Sequence, residues 1–498
     1  MMFQSLGLAE FISNTGERSR YSISMPLVFA IGIYSIIITH PSAVLRDPDT
    51  FWHIAVGRWI IEHRAVPDHG IFSATMADAP WIDQEWLAEV LMGCGYDHFG
   101  WAALAIGTAL CEAVAIAIVL RCLLGLLPPL YAMFATVLAA VLSSPHLLAR
   151  PYILTIPILV VWLVALVRAR SENRAPSPWF PLLIVLWANL HGSFVFGLGI
   201  AALLAAEAVL LAPDRPARFR AARDWGCFGA LALGAALMTP YGVSGLSAPF
   251  HLVNMSALTY IGEWQGVNFS QSWAMTIMIW LLTVLFAALT LGWRFPPIRV
   301  AIVLLLLAMA LKHLRYMELL GPVSALLIAP SLALHWDRQW APSSEIDHLM
   351  AELSRPANWP GIVIAGVVMM GVGTLGLRDG NAHPVEATFP AAAIAEVKAK
   401  HIDGPVFNSY TFGGSLIFSG IAPFIDGRTE LYGDTFVKRY VSAVQVTDDK
   451  LPELLSDNGT AWTILPAQTP AAVLMDHLPG WRRLYADSAA AVHVRQSN

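Results

Sequence analysis

The stretch that decides the fold is RDPDTFWHIAVGRW, residues 46–59, which directly follows the first apolar run of the chain. If that run spans a membrane, Asp47 and Asp49 reach the far water interface. Ionisable groups beside the hydrocarbon region are energetically costly, so such a cluster predicts a functional site. An aspartate between two helices is also a good cap, and for either residue alone both interpretations stand. The second acidic pair, Asp83 and Glu85, favours function.

The composition is that of an integral membrane protein. Of the 498 residues, 56% are hydrophobic and only 13% are charged. A soluble domain carries about 25% charged residues, so a water-soluble protein of this composition is excluded. The net charge of -5 is spread along the chain, which argues against nucleic acid as a partner.

The apolar runs predict a polytopic helical bundle. A spanning helix needs roughly 17 to 25 mostly apolar residues, and about eleven runs approach that length. These candidate spans lie near 25–42, 99–123, 128–145, 152–168, 179–193, 195–212, 225–240, 272–292, 297–312, 317–335 and 360–377. No convincing cleavage site follows the first run and the later topology requires it, so we interpret it as a retained helix and not as a signal peptide.

Arginines mark alternate loops, and the positive-inside rule assigns those loops to the cytoplasm. They are Arg18, Arg20, Arg121, Arg168, Arg170, Arg174, Arg215, Arg218, Arg220, Arg223, Arg294, Arg299 and Arg338. The N-terminus is then cytoplasmic. A polar linker over 335–358 is also cytoplasmic, and the segment after the last span is exported.

The opposite loops are rich in Asp, Glu, His, Trp and Tyr, so we expect the chemistry on the non-cytoplasmic face. They include PHLLARPY (145–152), NLHG (189–192), GEWQ (262–265) and KHLRY (312–316). The first outer loop, residues 43–98, carries two amphipathic patterns, TFWHIAVGRWIIEH and WLAEVL. These patterns predict helices that lie in the membrane interface, where tryptophan is favoured.

The chain divides into a transmembrane domain, 1–378, and a small soluble α/β domain, 379–498. In the second domain PVFNSY, APFIDG, AWTILP and AAVHV predict short strands, and they alternate with helical patterns. Its motif IDGRTELYGD brings Asp426, Arg428 and Glu430 near a predicted strand end. That arrangement indicates either a ligand site or a structural Asp–Arg pair.

The segments DPDTFWHIAVGRWIIEH, PDHGIFS and PWIDQEWLAEVL resemble the first outer loop of a bacterial family of polytopic membrane proteins. That family is related to the glycosyltransferase C superfamily, near the dolichyl-phosphate-mannose and lipid A aminoarabinose transferases. VFNSYTFGGSLIF and PFIDGRTELYGD resemble the same family's exported C-terminal domain. The link from this resemblance to chemistry is an analogy of fold.

The resemblance implies an enzyme of the bacterial inner membrane that takes a sugar from a polyprenyl-phosphate donor. The acceptor would be an envelope glycan, lipid or protein on the outer face. An acidic residue of the first outer loop would serve as base or position the acceptor. On this chain that residue is Asp49 or Asp47. The Asp-Pro-Asp spacing departs from the acidic pairs of the better-known transferases, so both remain candidates.

Such a transfer needs a base for the acceptor hydroxyl, and a positioned carboxylate contributes about 10²–10⁴-fold. The helix that follows Asp49 lowers its pKa, and neighbouring acidic groups raise it. The leaving phosphate needs cations or a metal. The predicted substrate-binding residues are His53, Asp83, Glu85, Arg150, His191, His313 and Arg315. Snorkelling arginines and helix-packing histidines are the structural alternatives.

A divalent metal is a further option. Asp47, Asp49, Asp83 and Glu85 offer hard oxygen ligands of the kind that suit magnesium or manganese. Nothing in the spacing of these residues establishes a site.

Two other functions compete with a polyprenyl-phosphate-sugar transferase. An O-antigen-ligase-like or polymerase-like enzyme would act on lipid-diphosphate glycans and use outer-face Arg and His instead of a first-loop carboxylate. A transporter or non-catalytic assembly scaffold would favour polar residues in mid-span and paired half-repeats. Here the polar residues gather at the outer ends of the spans, which disfavours transport.

Overall fold

The computed structural model describes residues 23–334, 344–378, 380–447 and 449–496. Arg18, Arg20 and Arg338, which contribute to the predicted orientation, lie outside the described residues. So do part of the predicted cytoplasmic linker and residue 379, the predicted start of the soluble domain.

Each predicted span coincides with a helix in the described part of the chain. These helices are Met25–Thr39, Trp101–Leu123, Pro129–Ser143, Ile156–Ser171, Pro181–Leu190, Phe194–Leu210, Arg215–Ala236, Ser272–Thr290, Pro297–Lys312, Met317–Leu332 and Trp359–Gly376. By length and composition, 5 helical stretches of the described chain can cross a membrane on their own. The protein is therefore a multi-pass membrane protein, and the number of spans stays a prediction.

Local sequence explains where these helices begin and how closely they pack. Several start with a proline in the first turn, where its missing N–H costs nothing; Pro129 and Pro297 are examples. Gly321 faces the backbone of Ala139, and a Cβ at Gly321 would lie 2.3 Å from the Ala139 carbonyl oxygen. This small residue lets the helices Met317–Leu332 and Pro129–Ser143 approach one another.

Polar residues collect at the two ends of the bundle. At one end Arg170 and Arg299 both pair with the buried carboxylate of Glu207, at 3.1 Å each. Loops that the sequence assigns to the cytoplasm therefore do share one end. Histidine, tryptophan and acidic residues of the predicted outer loops share the other end, beside the C-terminal domain.

The first outer loop contains two helices, Thr50–His63 and Trp86–Phe99, here called the first and second loop helices. They cross at glycines: a Cβ at Gly57 would lie 1.9 Å from the Glu89 carbonyl oxygen. The predicted helices are confirmed, and their place in the membrane interface stays a prediction. The N-terminal half of the first loop helix is buried between the second loop helix and the C-terminal domain, and Ile61, Glu62 and His63 at its end are exposed.

The C-terminal domain holds a four-stranded sheet, with β1 at Val406–Asn408, β2 at Trp462–Pro466, β3 at Trp481–Ala486 and β4 at Ala490–Arg495. The strand order is β1-β2-β4-β3; β1 and β2 are parallel, and the other pairs are antiparallel. The predicted α/β character is confirmed. The predicted strand APFIDG is wrong, because residues 422–427 form a buried turn against the first outer loop. The half-exposed strand β3, WRRLYA, was not predicted.

The remaining elements connect these parts. The α-helices are Pro41–Val44, Val243–Val253, Glu345–Leu353, Ala391–Ala399, Gly413–Phe418, Thr429–Val444, Lys450–Asp457 and Pro470–Met475. Short 3-10 helices lie at Ser144–His146, Pro151–Thr155, Ser256–Tyr260, Gly262–Trp264, Leu314–Tyr316 and Tyr410–Phe412.

The motif IDGRTELYGD joins the C-terminal domain to the first outer loop. Arg428 is fully buried, pairs with Asp426 at 2.7 Å and donates to the Ile71 carbonyl oxygen at 2.8 Å. Its guanidinium lies 4.8 Å from the centre of the Trp81 ring, and Trp81 donates to Glu430 at 3.0 Å. Because every one of these groups has a partner, the structural interpretation of the Asp–Arg pair holds.

Candidate functional site

A buried arginine gathers three carboxylates on the outer face. Arg150, just before the 3-10 helix Pro151–Thr155, contacts Asp49 and Glu263 directly, and its Nε lies 3.5 Å from Oδ1 of Asp47. Asp47 also accepts from the backbone N–H of Asp49 at 2.7 Å, which holds the Asp-Pro-Asp turn in shape. The structure thus places Asp47, Asp49 and Arg150 in one cluster.

The Asp49 carboxylate does not cap the first loop helix. Asp49 occupies the N-cap position of the first loop helix, yet its side chain makes no capping hydrogen bond and points to Arg150 instead. Burial raises the pKa of Asp49 to about 7, against the opposing effect of Arg150 and with the help of Asp47. A carboxylate that titrates near neutral pH can both accept and release a proton.

Glu263 connects this cluster to the next outer loops. It contacts Arg150, lies 3.1 Å from Arg315 and lies 3.3 Å from the ring of His146. Burial alone would raise its pKa, but Arg150 and Arg315 outweigh burial and hold the pKa well below the ordinary value. Glu263 lies in the outer-loop motif GEWQ and was not among the predicted site residues. An acid beside a tryptophan in an outer loop was the available signal.

One cavity, of about 550 Å³, lies between the membrane helices and the C-terminal domain. Asp47, Asp49, Arg150 and Glu263 contribute to one side, and Tyr410 and the helix Thr429–Val444 close the other. The two sides touch at Gly427, where a Cβ would lie 1.8 Å from Oδ1 of Asp49. The C-terminal domain therefore completes the cavity that contains Asp49.

A second cavity, of about 480 Å³, lies among the outer ends of the membrane helices. Its wall is mostly apolar and includes Val195, Phe196, Pro249, Phe250, Leu252, Val253, Met309 and Leu319. Lys312, His313 and Arg315 lie at its polar end, together with Glu85 and His191. The Arg315 guanidinium stacks 4.5 Å from the centre of the Trp264 ring. The ion pair of Arg315 with Glu263 links this cavity to the Asp49 cluster.

The remaining predicted residues form a second group, made by the first outer loop and by His191 after the helix Pro181–Leu190. His53 lies 2.8 Å from Glu89 and 3.6 Å from Glu85, and Glu85 lies 3.1 Å from His191. Asp83 accepts from the backbone N–H of Glu85 at 3.1 Å. Glu89, fully buried on the second loop helix, was missed by the sequence analysis because its position reads as part of an amphipathic pattern.

In the part of the chain that the structure describes, the group of His, Cys, Asp and Glu side chains close enough to hold a metal ion is His53, Glu85 and Glu89, whose ligand atoms lie within 4.8 Å of one another. This set shares only Glu85 with the four carboxylates named from the sequence. Asp47 and Asp49 do not join it, because Arg150 already supplies their positive charge.

No family model and no curated protein matches this sequence. Among solved structures, the chain is similar to the oligosaccharyltransferase AglB from Archaeoglobus fulgidus in complex with an inhibitory peptide and a dolichol-phosphate. The TM-score is 0.50 at 10% identity, over 95% of this chain and 74% of that one. ArnT from Cupriavidus metallidurans bound to undecaprenyl phosphate gives a TM-score of 0.48 at 13% identity, over 94% and 97%, which is too low to add to the argument.

Proposed function

From the premise that this chain has the fold of the glycosyltransferase C superfamily, we propose that it is a membrane glycosyltransferase with a polyprenyl-phosphate-linked sugar as donor. The observation that carries the proposal is the buried Asp49 carboxylate, which lines one cavity beside a second, mostly apolar cavity that Lys312 and Arg315 also line. The fold alone does not choose among functions, and this arrangement of groups supplies the chemistry.

Asp49 acts as the general base. The acceptor hydroxyl attacks the anomeric carbon, the bond from that carbon to the phosphate oxygen breaks, and the hydroxyl proton moves to Asp49. The pKa of about 7 makes the carboxylate basic enough for this at neutral pH. Arg150 keeps a useful fraction of Asp49 ionised, because it opposes the effect of burial. Asp47 orients the turn through its hydrogen bond to the Asp49 backbone.

The lipid donor occupies the second cavity. Its isoprenoid chain suits the apolar wall, and its phosphate suits the end that carries Lys312, His313 and Arg315. The Arg315 guanidinium lies over the Trp264 ring and pairs with Glu263, and these two contacts orient its planar fork before the phosphate arrives. Arg315 and Lys312 attract the phosphate both before and after the sugar leaves, so they contribute mainly to binding of the donor. Arg150 is surrounded by three carboxylates, so it positions Asp49 and does not bind the phosphate. Arg315 and Lys312 bind the phosphate.

The acceptor enters the cavity under the C-terminal domain. Glu263 lines the first cavity and pairs with Arg315, which lines the second cavity. Acceptor and donor would therefore approach Asp49 from different sides. An envelope glycan, lipid or protein on the outer face of the bacterial inner membrane is the acceptor class. The orientation follows the arginine distribution: reporter fusions at Ser177 and at the C-terminus should report opposite sides of the membrane.

The test measures free undecaprenyl phosphate, a product that is the same whichever acceptor receives the sugar. Purified protein receives undecaprenyl phosphate carrying a radiolabelled hexose or aminopentose, each in turn, with an envelope extract as acceptor source. Release of free undecaprenyl phosphate is followed by chromatography. We expect release with at least one donor, and a loss of about 10²–10⁴-fold in Asp49→Asn, which keeps the side-chain shape.

Glu62→Gln is the matched control, because Glu62 is exposed on the same loop helix and lines neither cavity. Asp47→Asn should retain more activity than Asp49→Asn. Full activity of a well-folded Asp49→Asn protein would refute the base mechanism. Release of undecaprenyl diphosphate from diphosphate-linked glycans, with none from the monophosphate donors, would replace the proposal with a ligase-like or polymerase-like enzyme.

A further inference from the structure

The first cavity, where the acceptor hydroxyl meets Asp49 in the proposed reaction, offers no positive charge to a ligand. Arg150 is the one cation among the described residues that line it. The guanidinium of Arg150 contacts Asp49 and Glu263, and its Nε faces Oδ1 of Asp47 at 3.5 Å. Each of its nitrogen atoms therefore already has a carboxylate as partner. An anionic group that entered this cavity would lose water and find no cation to pair with.

The carboxylates of the first cavity would also repel an anion. Arg315 and His146 contact Glu263 as well, but neither of them lines this cavity. Even when Asp49 has taken up a proton, Asp47 and Glu263 remain beside a single guanidinium. Like charges brought together in a partly desolvated site are strongly unfavourable. The cavity is therefore selective against phosphate and carboxylate groups.

The rest of the wall is uncharged and carries hydrogen-bonding groups. Every described residue that the C-terminal domain contributes to the lining is uncharged, and Val441 and Val444 add apolar surface there. Gln445, and Gln265 and Tyr260 on the membrane side, are exposed. Within the described residues, no hydrogen bond uses their side-chain amide or hydroxyl groups. Such groups suit sugar hydroxyls, and the apolar surface and the tyrosine ring suit the C–H faces of a sugar.

The second cavity has the opposite character at its polar end. Lys312 and Arg315 line it, and Lys312 forms no ion pair within the described part of the chain. A phosphate-bearing donor therefore finds an available cation in the second cavity and none in the first. Rejection of the wrong ligand is as much a source of specificity as attraction of the right one. Charge thus directs the two substrates of the proposed reaction to different cavities.

We propose that the group that enters the first cavity is an uncharged sugar residue of an envelope glycan, and that phosphorylated or carboxylated acceptors are excluded. This inference rests on the proposed function and narrows its acceptor class. The cavity volume of about 550 Å³ lies within the range of about 300–1,000 Å³ that is usual for ligand sites. The same charges keep the phosphates of membrane lipid head groups away from Asp49.

The charge of the first cavity is measured without any donor. The four cysteines are replaced by alanine, and one cysteine is introduced, either at Gln265 in the cavity or at Gln468. Gln468 is the control, since it is exposed on the C-terminal domain and lines neither cavity. Each protein reacts with methanethiosulfonates that carry a trimethylammonium or a sulfonate group. We expect the cation-to-anion ratio of rates to be at least about tenfold higher at Gln265→Cys, and Gln445→Lys should reduce it. Equal ratios at the two cysteines would overturn the proposal.

A second measurement identifies the sugar that receives the label. The product of the radiolabelled transfer is partly hydrolysed with acid, and mass spectrometry identifies the residue that carries the transferred sugar. We expect an uncharged sugar residue. A phosphorylated sugar, a uronic acid or an amino acid at that position would overturn the proposal. If no donor gives a product while the ratio of rates is as expected, the proposed function fails and the exclusion of anions from the cavity stands.

Discussion

The two ends of the first outer loop both place acidic side chains at mostly buried positions, but they surround those side chains with different charges. Asp47 and Asp49 meet a guanidinium, and Arg150 balances much of their charge. Glu85 and Glu89 meet neutral histidines, and burial raises the pKa of Glu85 to about 8. The difference is one of counter-charge. A carboxyl group balanced by a guanidinium titrates near neutral pH, whereas Glu85, which no arginine of the described chain contacts, stays protonated there.

The largest expected effect comes from displacing the Asp49 carboxylate away from Arg150. Gly427→Ala places a methyl group where Oδ1 of Asp49 now lies, so the carboxylate must move. We expect a loss of about 10²-fold in transfer rate, because a displacement of about 1 Å is enough for that. Gly262→Ala is the control in the same cavity, since a Cβ there meets nothing within 4 Å. Equal activity of the two variants would disconnect Gly427 from the site.

The next effect tests the guanidinium itself. Arg150→Lys keeps the charge but loses the planar fork that contacts Asp49 and Glu263 together. We expect at least about a tenfold loss in kcat in a protein that still folds. Arg58→Lys should cost less than twofold, since Arg58 and its partner Asp97 are both exposed. A wild-type kcat in Arg150→Lys would show that charge alone is sufficient.

The smallest expected effect concerns Arg315 in the second cavity, the proposed donor site. Arg315→Lys loses the stacking on Trp264, so the cation is less well oriented for a phosphate. We expect KM for the lipid donor to rise about three- to tenfold with little change in kcat. Arg439→Lys, an exposed substitution in the C-terminal domain, should change neither constant. A fall in kcat without a change in KM would move Arg315 from donor binding to transition-state stabilisation.

Much of the fold could be predicted because it depends on local patterns. Apolar runs set the membrane helices, and the period of TFWHIAVGRWIIEH set the first loop helix. APFIDG failed because an apolar run of that length is compatible with a strand or with an irregular buried segment. Hydrogen bonds from Ala74 and Thr75 to the carbonyl oxygens of Pro423 and Phe424 hold it in the second form. The burial of the first loop helix could not be predicted from local sequence, because the helix that packs on it, Gly413–Phe418, lies more than 300 residues later in the chain.

The sequence predicted several residues of the site but not which of them contact one another. Asp49 and Arg150 were both named, yet their contact joins residues about a hundred positions apart, which no local spacing encodes. Glu263, Glu89 and Gly427 were missed for the same reason. Glu89 sits at a helical position that amphipathic patterns fill with any polar residue, and only the neighbouring His53 gives it a role.

The central claim is that Asp49 is a base held near neutrality by the balance between burial and Arg150, and the pH dependence of kcat tests it most directly. The pKa of Asp49 is raised to about 7, and the base works in its deprotonated form. With saturating donor, kcat should therefore rise about tenfold per pH unit below that value and level off above it. In Arg150→Gln, which removes the opposing charge, the midpoint should move to higher pH. A kcat that is flat from pH 5.5 to 9, or that falls as the pH rises through 7, would contradict the account.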